Sequence, residues 1–453
     1  MKLSVFEAGA VPNVAPPQTE AFQKALDTVF EAGGGTVTVP DGEYHIGAIR
    51  IRSNTTLYLC SGARLIGSRD PMDYYVLQND TLEPLPEEMR TEKMFERGKV
   101  GEERDFSFLL PGGRWSNGLI RACCADNIAI IAEDGATIDG SDCYDELGEE
   151  KYRGPHGISI HHCKNIKLSG YTIQNTGNWA HIIFNSENVS CERITILGGH
   201  DGIHCRGCRN IEINHCEIYT GDDCIAGFAN INTHISDCVL NTACSGLRLG
   251  GTSILCENCR FYGPAKYFFR GSLSLEEKKN GAKANVPHRI NMLSVFTYLA
   301  DLSFPIPVQP GNIIIKNCTA DNVDRLLHYN FSGNERWQCG RPLASLTVEN
   351  VTATNISMPI TLYGSKDTPL GFCMKNSKIE FKETDDNAPS PVFRVAYFER
   401  IQLKNVDIEK ASDGDLIRSW SPLGTTSFEN VSYHVPSEEW TEIADEPFIC
   451  KSI

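Results

Sequence analysis

Asn210-Ile211-Glu212-Ile213-Asn214-His215-Cys216 returns in kind 22 residues later as Asn232-Thr233-His234-Ile235-Ser236-Asp237-Cys238. A variant follows, Ser253-Ile254-Leu255-Cys256-Glu257-Asn258-Cys259. Earlier copies begin at Asn127, Asn165 and Asn188, and a later one is Asn312-Ile313-Ile314-Ile315-Lys316-Asn317-Cys318. The starts at 165, 188, 210, 232 and 253 lie 23, 22, 22 and 21 residues apart. Within most copies apolar and polar residues alternate, the period of a strand with one buried face. A unit of about 22 residues is too short for two helices and their turns, but it suits one coil of a β-solenoid. Successive coils then stack as parallel strands, roughly 4.8 Å apart. Equal positions form ladders. Asparagine suits a bend because it tolerates left-handed backbone and pairs its amide along the stack, while cysteine serves as a small buried residue.

The expected fold is therefore all-β, a parallel β-helix forming one domain over residues 1–453. Thr19 to Ala32 places Phe22, Ala25, Leu26, Val29 and Phe30 at helical spacing, so an N-terminal capping helix is predicted before Gly33-Gly34-Gly35. Such a helix would cover the unpaired strand edge at the open end. Charged stretches near 79–117 and 262–310 interrupt the repeat and read as insertions that wall one face.

The formal net charge of -16 argues against a nucleic-acid partner, which requires clustered Lys and Arg. No apolar run approaches a membrane span. The start, Met1 to Ala8, has no apolar stretch of signal-peptide length, and the 18 cysteines sit largely inside strand-like segments. Together these lead to the expectation of a cytoplasmic protein with free thiols. Cys205-Arg206-Gly207-Cys208 and Cys256-Glu257-Asn258-Cys259 have the spacing of paired metal ligands, but they start 51 residues apart, not a whole number of coils. No metal and no cofactor is expected. Nothing in the sequence fixes the oligomeric state.

The repeat also supplies the chemistry. Asp201 and Asp223 are 22 residues apart, and Asp222 precedes Asp223 in Tyr219-Thr220-Gly221-Asp222-Asp223-Cys224. One coil of offset is expected to gather three carboxylates in a small patch. Gly-Asp-Asp also occurs in ordinary turns, and that reading competes. Glycoside hydrolysis needs one carboxylic acid for the leaving oxygen and one carboxylate opposite it. Gly202 and Gly221 flank the patch, where they would permit a tight bend or a close approach.

At these residues the chain resembles the polygalacturonase family, glycoside hydrolase family 28, from about Glu7 to about Gly251. The segment Gly35-Thr36-Val37-Thr38-Val39-Pro40-Asp41-Gly42-Glu43-Tyr44 is similar to the family's N-terminal region, as are Leu57-Tyr58-Leu59 and Gly62-Ala63-Arg64-Leu65-Ile66-Gly67. Ile138-Asp139-Gly140 and Asn175-Thr176-Gly177-Asn178-Trp179 continue the likeness. His200-Asp201-Gly202-Ile203 keeps the Asp-Gly of the family's Asn-Thr-Asp-Gly motif, and Gly221-Asp222-Asp223-Cys224-Ile225-Ala226 matches its Asp-Asp motif. The resemblance implies a right-handed parallel β-helix of the pectin-lyase type and an inverting hydrolysis. It makes Asp222 the general acid, with Asp201 and Asp223 activating the water. Ser245 stands where the family's Gly-His-Gly motif has its histidine. The Arg-Ile-Lys motif has no clean match, and Arg248 and Arg270 are the candidate cations.

Further substrate-binding candidates are His200 and His204, which flank Asp201, and Trp179, one coil earlier, which would offer a ring face to a sugar. His181 and Arg153 join them on spacing alone. A packed tryptophan and hydrogen-bonded turn histidines are the competing structural readings. The function expected is a glycosidase of exo action on pectin-derived or related oligosaccharides. A β-helix lyase or glycosyl-transferring enzyme, and a non-catalytic glycan-binding solenoid, are the alternatives.

Overall fold

The computed structural model describes residues 1–74, 117–148, 152–270, 280, 289–300, 308–333, 335, 337–338, 340–382, 390–422, 424–436 and 438–440. The predicted insertion near 79–117 lies almost wholly outside the described residues, as do parts of that near 262–310. Contacts gather the chain into two compact units, Met1–Asp222 with Tyr267–Val286, and Asp223–Lys266 with Pro287–Ile453.

The first unit opens with the predicted helix, Thr19–Glu31, which buries Phe22, Ala25, Leu26 and Val29. Three series of parallel strands follow. One stacks Gly118–Cys123, His156–His161, His181–Phe184 and Ile203–Arg206. The second stacks Asp126–Ala132, Lys164–Ser169, Glu187–Glu192 and Arg209–Asn214. The third stacks Thr137–Asp139, Thr172–Gln174, Thr195–Gly198 and Glu217–Thr220. Inward positions form apolar ladders, such as Ile128, Ile166, Val189 and Ile211, each at most 3% exposed. Burial of each such side chain contributes about 1.5–3 kcal/mol.

The second unit repeats the pattern. Ile225–Ser236, Ser245–Glu257, Ser294–Tyr298, Leu327–Asn330, Ile360–Tyr363, Phe393–Ala396 and Ile417–Ser419 pair in parallel. The long strand Ser245–Glu257 also pairs, past its bend, with Gly311–Lys316, which opens a further series through Ser345–Glu349 and Leu370–Phe381. Each unit is thus a β-solenoid, as the repeat predicts.

The asparagines sit where the sequence places them. Asn127, Asn165, Asn188 and Asn210 all have left-handed backbone, with φ between 54° and 57°. Their amides form a continuous ladder: Asn127 donates to Asn54 at 2.8 Å, Asn165 to Asn127 at 2.9 Å, Asn188 to Asn165 at 2.8 Å and Asn210 to Asn188 at 3.0 Å. Asn405 donates to Asn376 and Asn430 to Asn405 in the second unit. Asn188→Ala is expected to lower stability by about 1–2 kcal/mol, since alanine both resists this backbone and breaks the ladder. Asn188→Gly should lose less, because it removes only the amide. Denaturant midpoints of the two variants test the order.

Sixteen described cysteines are free thiols, thirteen of them buried. Many occupy the next bend, where the thiol donates to the carbonyl two residues earlier. Cys163, Cys216, Cys238, Cys259 and Cys318 do so at 3.1–3.3 Å, and Ser186 and Ser377 do it with hydroxyls. The next coil contributes too: Cys163 accepts from the Ala125 N–H, and Cys318 from the Cys259 N–H, each at 3.4 Å. Cysteine here is a hydrogen-bonding bend residue as well as a small apolar one.

Candidate active site

Asp201 lies in the bend between Thr195–Gly198 and Ile203–Arg206. The preceding coil holds its backbone. The Ala180 N–H donates to the Asp201 carbonyl at 2.9 Å, and the His181 N–H donates to that of Gly202 at 3.0 Å. His181 is fully buried, and its Nδ1 lies 3.1 Å from the same Gly202 carbonyl while its Nε2 is 2.9 Å from the Tyr171 hydroxyl. With Nδ1 protonated and Nε2 accepting, the ring is neutral, and burial pushes its pKa down to about 4. His181 therefore braces the Asp201–Gly202 turn from inside the coil.

The Asp201 carboxylate is buried, and its Oδ2 lies 2.6 Å from His204 Nδ1. Arg206 Nε donates to His204 Nε2 at 2.9 Å. An acceptor role at Nε2 places the His204 proton on Nδ1, facing the carboxylate. Trp179 lies parallel to His204 at 3.9 Å and 5°, and the Arg206 guanidinium is 4.8 Å from the indole centre. The His204 imidazole thus takes one face of Trp179, which is 7% exposed.

His200 is buried. Its Nδ1 accepts from Arg153 Nη1 at 3.3 Å, and Tyr152 stacks on it at 6.3 Å. Arg153 also donates to Asn178 at 3.0 Å, so a buried cation stands beside the bend that carries Asp201.

Arg270 is buried and belongs to the first unit. Its guanidinium donates to the carbonyls of Thr176 at 2.7 Å, Asp142 at 3.0 Å and Cys143 at 3.3 Å, and its Nε is 3.1 Å from the Asp142 carboxylate. Its own N–H donates to the Gly199 carbonyl at 3.0 Å. The segment Phe268–Arg270 closes over Gly199 and Gly221, where a Cβ would stand 2.6 Å from Arg270 Cβ and 2.0 Å from the Phe268 carbonyl oxygen. The close approach at Gly221 is made by the chain itself. Arg270→Ala is expected to cost about 3 kcal/mol, because it strands three carbonyls and a carboxylate. The check is a lowered unfolding temperature in a variant whose KM changes little.

Gly198 and Thr220 are register partners, which sets the Asp201 bend and the Gly221–Asp222 bend in adjacent coils of the first unit. Thr220 Oγ1 donates to the Asp222 carbonyl at 2.8 Å. Asp222 is partly exposed, whereas Asp201 and Asp223 are buried.

Asp223, the next residue, opens the second unit. Its Oδ1 accepts the Ser245 N–H at 3.0 Å, and its Oδ2 lies 3.3 Å from Arg248 Nη1. Ser245 returns a carbonyl to the Cys224 N–H at 3.0 Å. The Ser245 hydroxyl donates to Thr297 Oγ1 at 3.1 Å, and Thr297 in turn meets Ser294. A hydroxyl chain therefore starts at Ser245, the residue the resemblance aligns with a motif histidine, and Arg248 presents its charge to Asp223. Both oxygens of Asp223 act as acceptors, the role of a carboxylate.

Three contributors were not anticipated. Arg206 was legible in principle, since it lies two residues beyond His204 on one strand and so shares its face. Thr297 and Ser294 were not, because the register that brings them to Ser245 crosses an interruption of the repeat.

Residues 112–250 match the family model of the glycosyl hydrolases family 28. A probable polygalacturonase of Vitis vinifera is 29% identical over 236 residues, covering 49% of this chain and 43% of that protein. An exo-poly-alpha-D-galacturonosidase of Dickeya chrysanthemi is 24% identical over 250 residues, covering 49% and 41%. The chain thus spans less than half the length of these relatives. Among solved structures, an exopolygalacturonase of Thermotoga maritima aligns with a TM-score of 0.60 at 16% identity, covering 90% of this chain and 92% of that one. A family 28 exopolygalacturonase of Yersinia enterocolitica gives 0.54 at 15% identity, covering 97% and 78%. The fold is the right-handed parallel β-helix, and the chain is polygalacturonase-like in sequence.

Proposed function

We propose that this chain, family-28-like over residues 112–250, is a glycoside hydrolase that cleaves pectin-derived or related oligosaccharides with inversion. Asp222 is the general acid, and Asp201 and Asp223 activate the water. The observation that carries this reading is the contrast among the three carboxylates. Asp201 and Asp223 are buried and each is fixed by hydrogen bonds, Asp201 from His204 and Asp223 from Ser245 and Arg248. Oriented acceptors of that kind suit a base acting on water. Asp222 is the more exposed, as a group that meets a departing sugar oxygen must be. An oxygen of Asp222 lies within 4.8 Å of one of Asp223, closer than the roughly 6.5–9.5 Å usual between acid and base in inverting enzymes, so the product anomer decides the stereochemistry.

Product anomers followed by proton NMR test the reading on a panel of defined oligosaccharides. The initial product should carry the configuration opposite to that of the bond cleaved. A retained anomer, or an unsaturated product absorbing in the ultraviolet, would overturn it. Exo action is supported by the likeness to the Dickeya exo-enzyme. It predicts a single short product from the first turnovers, where an endo-enzyme would release a ladder of lengths. A cytoplasmic setting is part of the same reading, supported by thiols that serve as backbone donors and would lose that role in a disulfide. Titration of free thiols in protein isolated without reductant checks it.

A further inference from the structure

Arg248 begins an outward-facing ladder in the second unit. Its register partners in successive coils are Thr297, His328, Thr361 and Arg394. On the strand Leu327–Asn330 the alternation is clear, with Leu327 and Tyr329 buried and His328 and Asn330 partly exposed. At roughly 4.8 Å per coil, Arg394 lies about 19 Å along the ladder from Arg248.

Around Arg394 the chemistry turns basic and aromatic. Arg325, two residues before the strand Leu327–Asn330, donates Nη1 to His328 Nδ1, and His328 Nε2 donates to Glu335 at 2.7 Å. Among the described residues Arg325 Nη2 meets only the sulfur of Met358, at 3.4 Å, a weak acceptor. Arg325 Nε and Arg394 Nε are buried and find no partner among the described residues. The neighbouring Asp324 carboxylate is engaged by Asn291 at 3.0 Å and by Ser357 at 3.5 Å. Burial first, then the Arg394 charge, holds the Arg325 guanidinium below its usual range, with Asp324 and Glu335 acting the other way. The Tyr363 phenol feels both guanidinium charges. The Tyr363 ring lies 5.7 Å from that of Trp420, which is 39% exposed.

Two like charges kept together with unpaired donors call for an anion, and a guanidinium fork matches a carboxylate. An exposed indole beside them offers an apolar ring face. We infer that Arg325 and Arg394, with Tyr363 and Trp420, form a remote subsite for the acid group of a sugar residue, at which a chain of acidic sugars is held several coils from Asp223 and its partner Arg248. This deepens the glycosidase reading by naming an anionic glycan as what the second unit holds. In a chain of net charge -16, such a local basic site is also what a polyanion needs.

Calorimetric titration with hexagalacturonate and with its fully methyl-esterified form tests the site without turnover. Wild type should bind the acid form about tenfold more tightly than the ester, the difference shrinking with salt. Arg394→Gln and Arg325→Gln should each lose about tenfold for the acid hexamer and nothing for the ester. Arg394→Lys should recover part of the loss. Cleavage of digalacturonate, too short to span four coils, should be unchanged. Equal binding of acid and ester by wild type, or a folded Arg325→Gln/Arg394→Gln double variant that binds the acid hexamer like wild type, overturns the inference. A wild type that binds the acid hexamer selectively but cleaves nothing would refute the hydrolase and leave the subsite standing.

Discussion

Asp222→Asn is expected to lower kcat about 10²–10⁴-fold, the usual contribution of a positioned general acid. The asparagine keeps the volume at a partly exposed bend whose backbone is held by Thr220, so the fold should survive. The loss should depend on the leaving group. An aryl glycoside whose phenolate departs without a proton needs little acid assistance, so Asp222→Asn should be far less damaging on it than on an oligosaccharide. Asp201→Asn and Asp223→Asn remove the groups that act on water, and each should be damaging on both substrates. Asp223→Asn also turns an amide N–H₂ toward either the Ser245 N–H or Arg248, where only acceptors fit. Its loss should therefore exceed that of Asp222→Asn on the aryl glycoside. Equal losses for all three variants on both substrates would refute the division of roles.

The architecture was legible because one physical constraint recurs. Each bend needs left-handed backbone, asparagine supplies it, and a period near 22 residues makes the ladder visible without any partner being known. The capping helix was legible for a similar reason, since Phe22, Ala25, Leu26 and Val29 fall on one face and are buried there. The carboxylates were legible as a pattern, through the spacing of Asp201 and Asp223. Their partners were legible only within a coil or one coil away. Arg270 shows the boundary of such reading. A basic residue near the motif invites assignment to substrate, yet its acceptors at Thr176 and Asp142 are 94 and 128 residues distant, and no periodicity links them. Trp179 shows another. Spacing put it beside the site, but the His204 ring that covers its face depends on side-chain packing. Nothing in the sequence marks a boundary between Asp222 and Asp223, where the repeat continues while the contacts divide.

The first unit should be acid-labile, and the buried histidines set the window. His181 and His162 have pKa values pushed down to about 4 by burial, and His161 is held well below its ordinary value for the same first reason. Above pH 6.5 each is neutral in both folded and unfolded chains, so the full stability is present. As pH falls from 6.5 towards 4 the unfolded chain takes up protons that the folded chain refuses, and stability falls with pH. For His181, fully buried, the loss amounts to about 3 kcal/mol by pH 4, accruing at up to about 1.4 kcal/mol per pH unit. His161 and His162 add in the same direction. Denaturant midpoints measured between pH 7.5 and 5, above the main titration of surface carboxylates, should fall steadily. His181→Gln should be less stable than wild type at pH 7.5 but lose less on acidification, since it has no proton to take up. Parallel slopes for the two proteins would remove His181 from the account. The consequence reaches the chemistry through one bond. Neutral His181 holds the Gly202 carbonyl with Nδ1–H while its Nε2 accepts from Tyr171, and a protonated ring can no longer accept. Acid should therefore loosen the turn that carries Asp201 as the pH approaches 4, where the folded ring takes up its proton. His181→Gln should then flatten the loss of activity as the pH falls towards 4, measured at a temperature where both proteins remain folded.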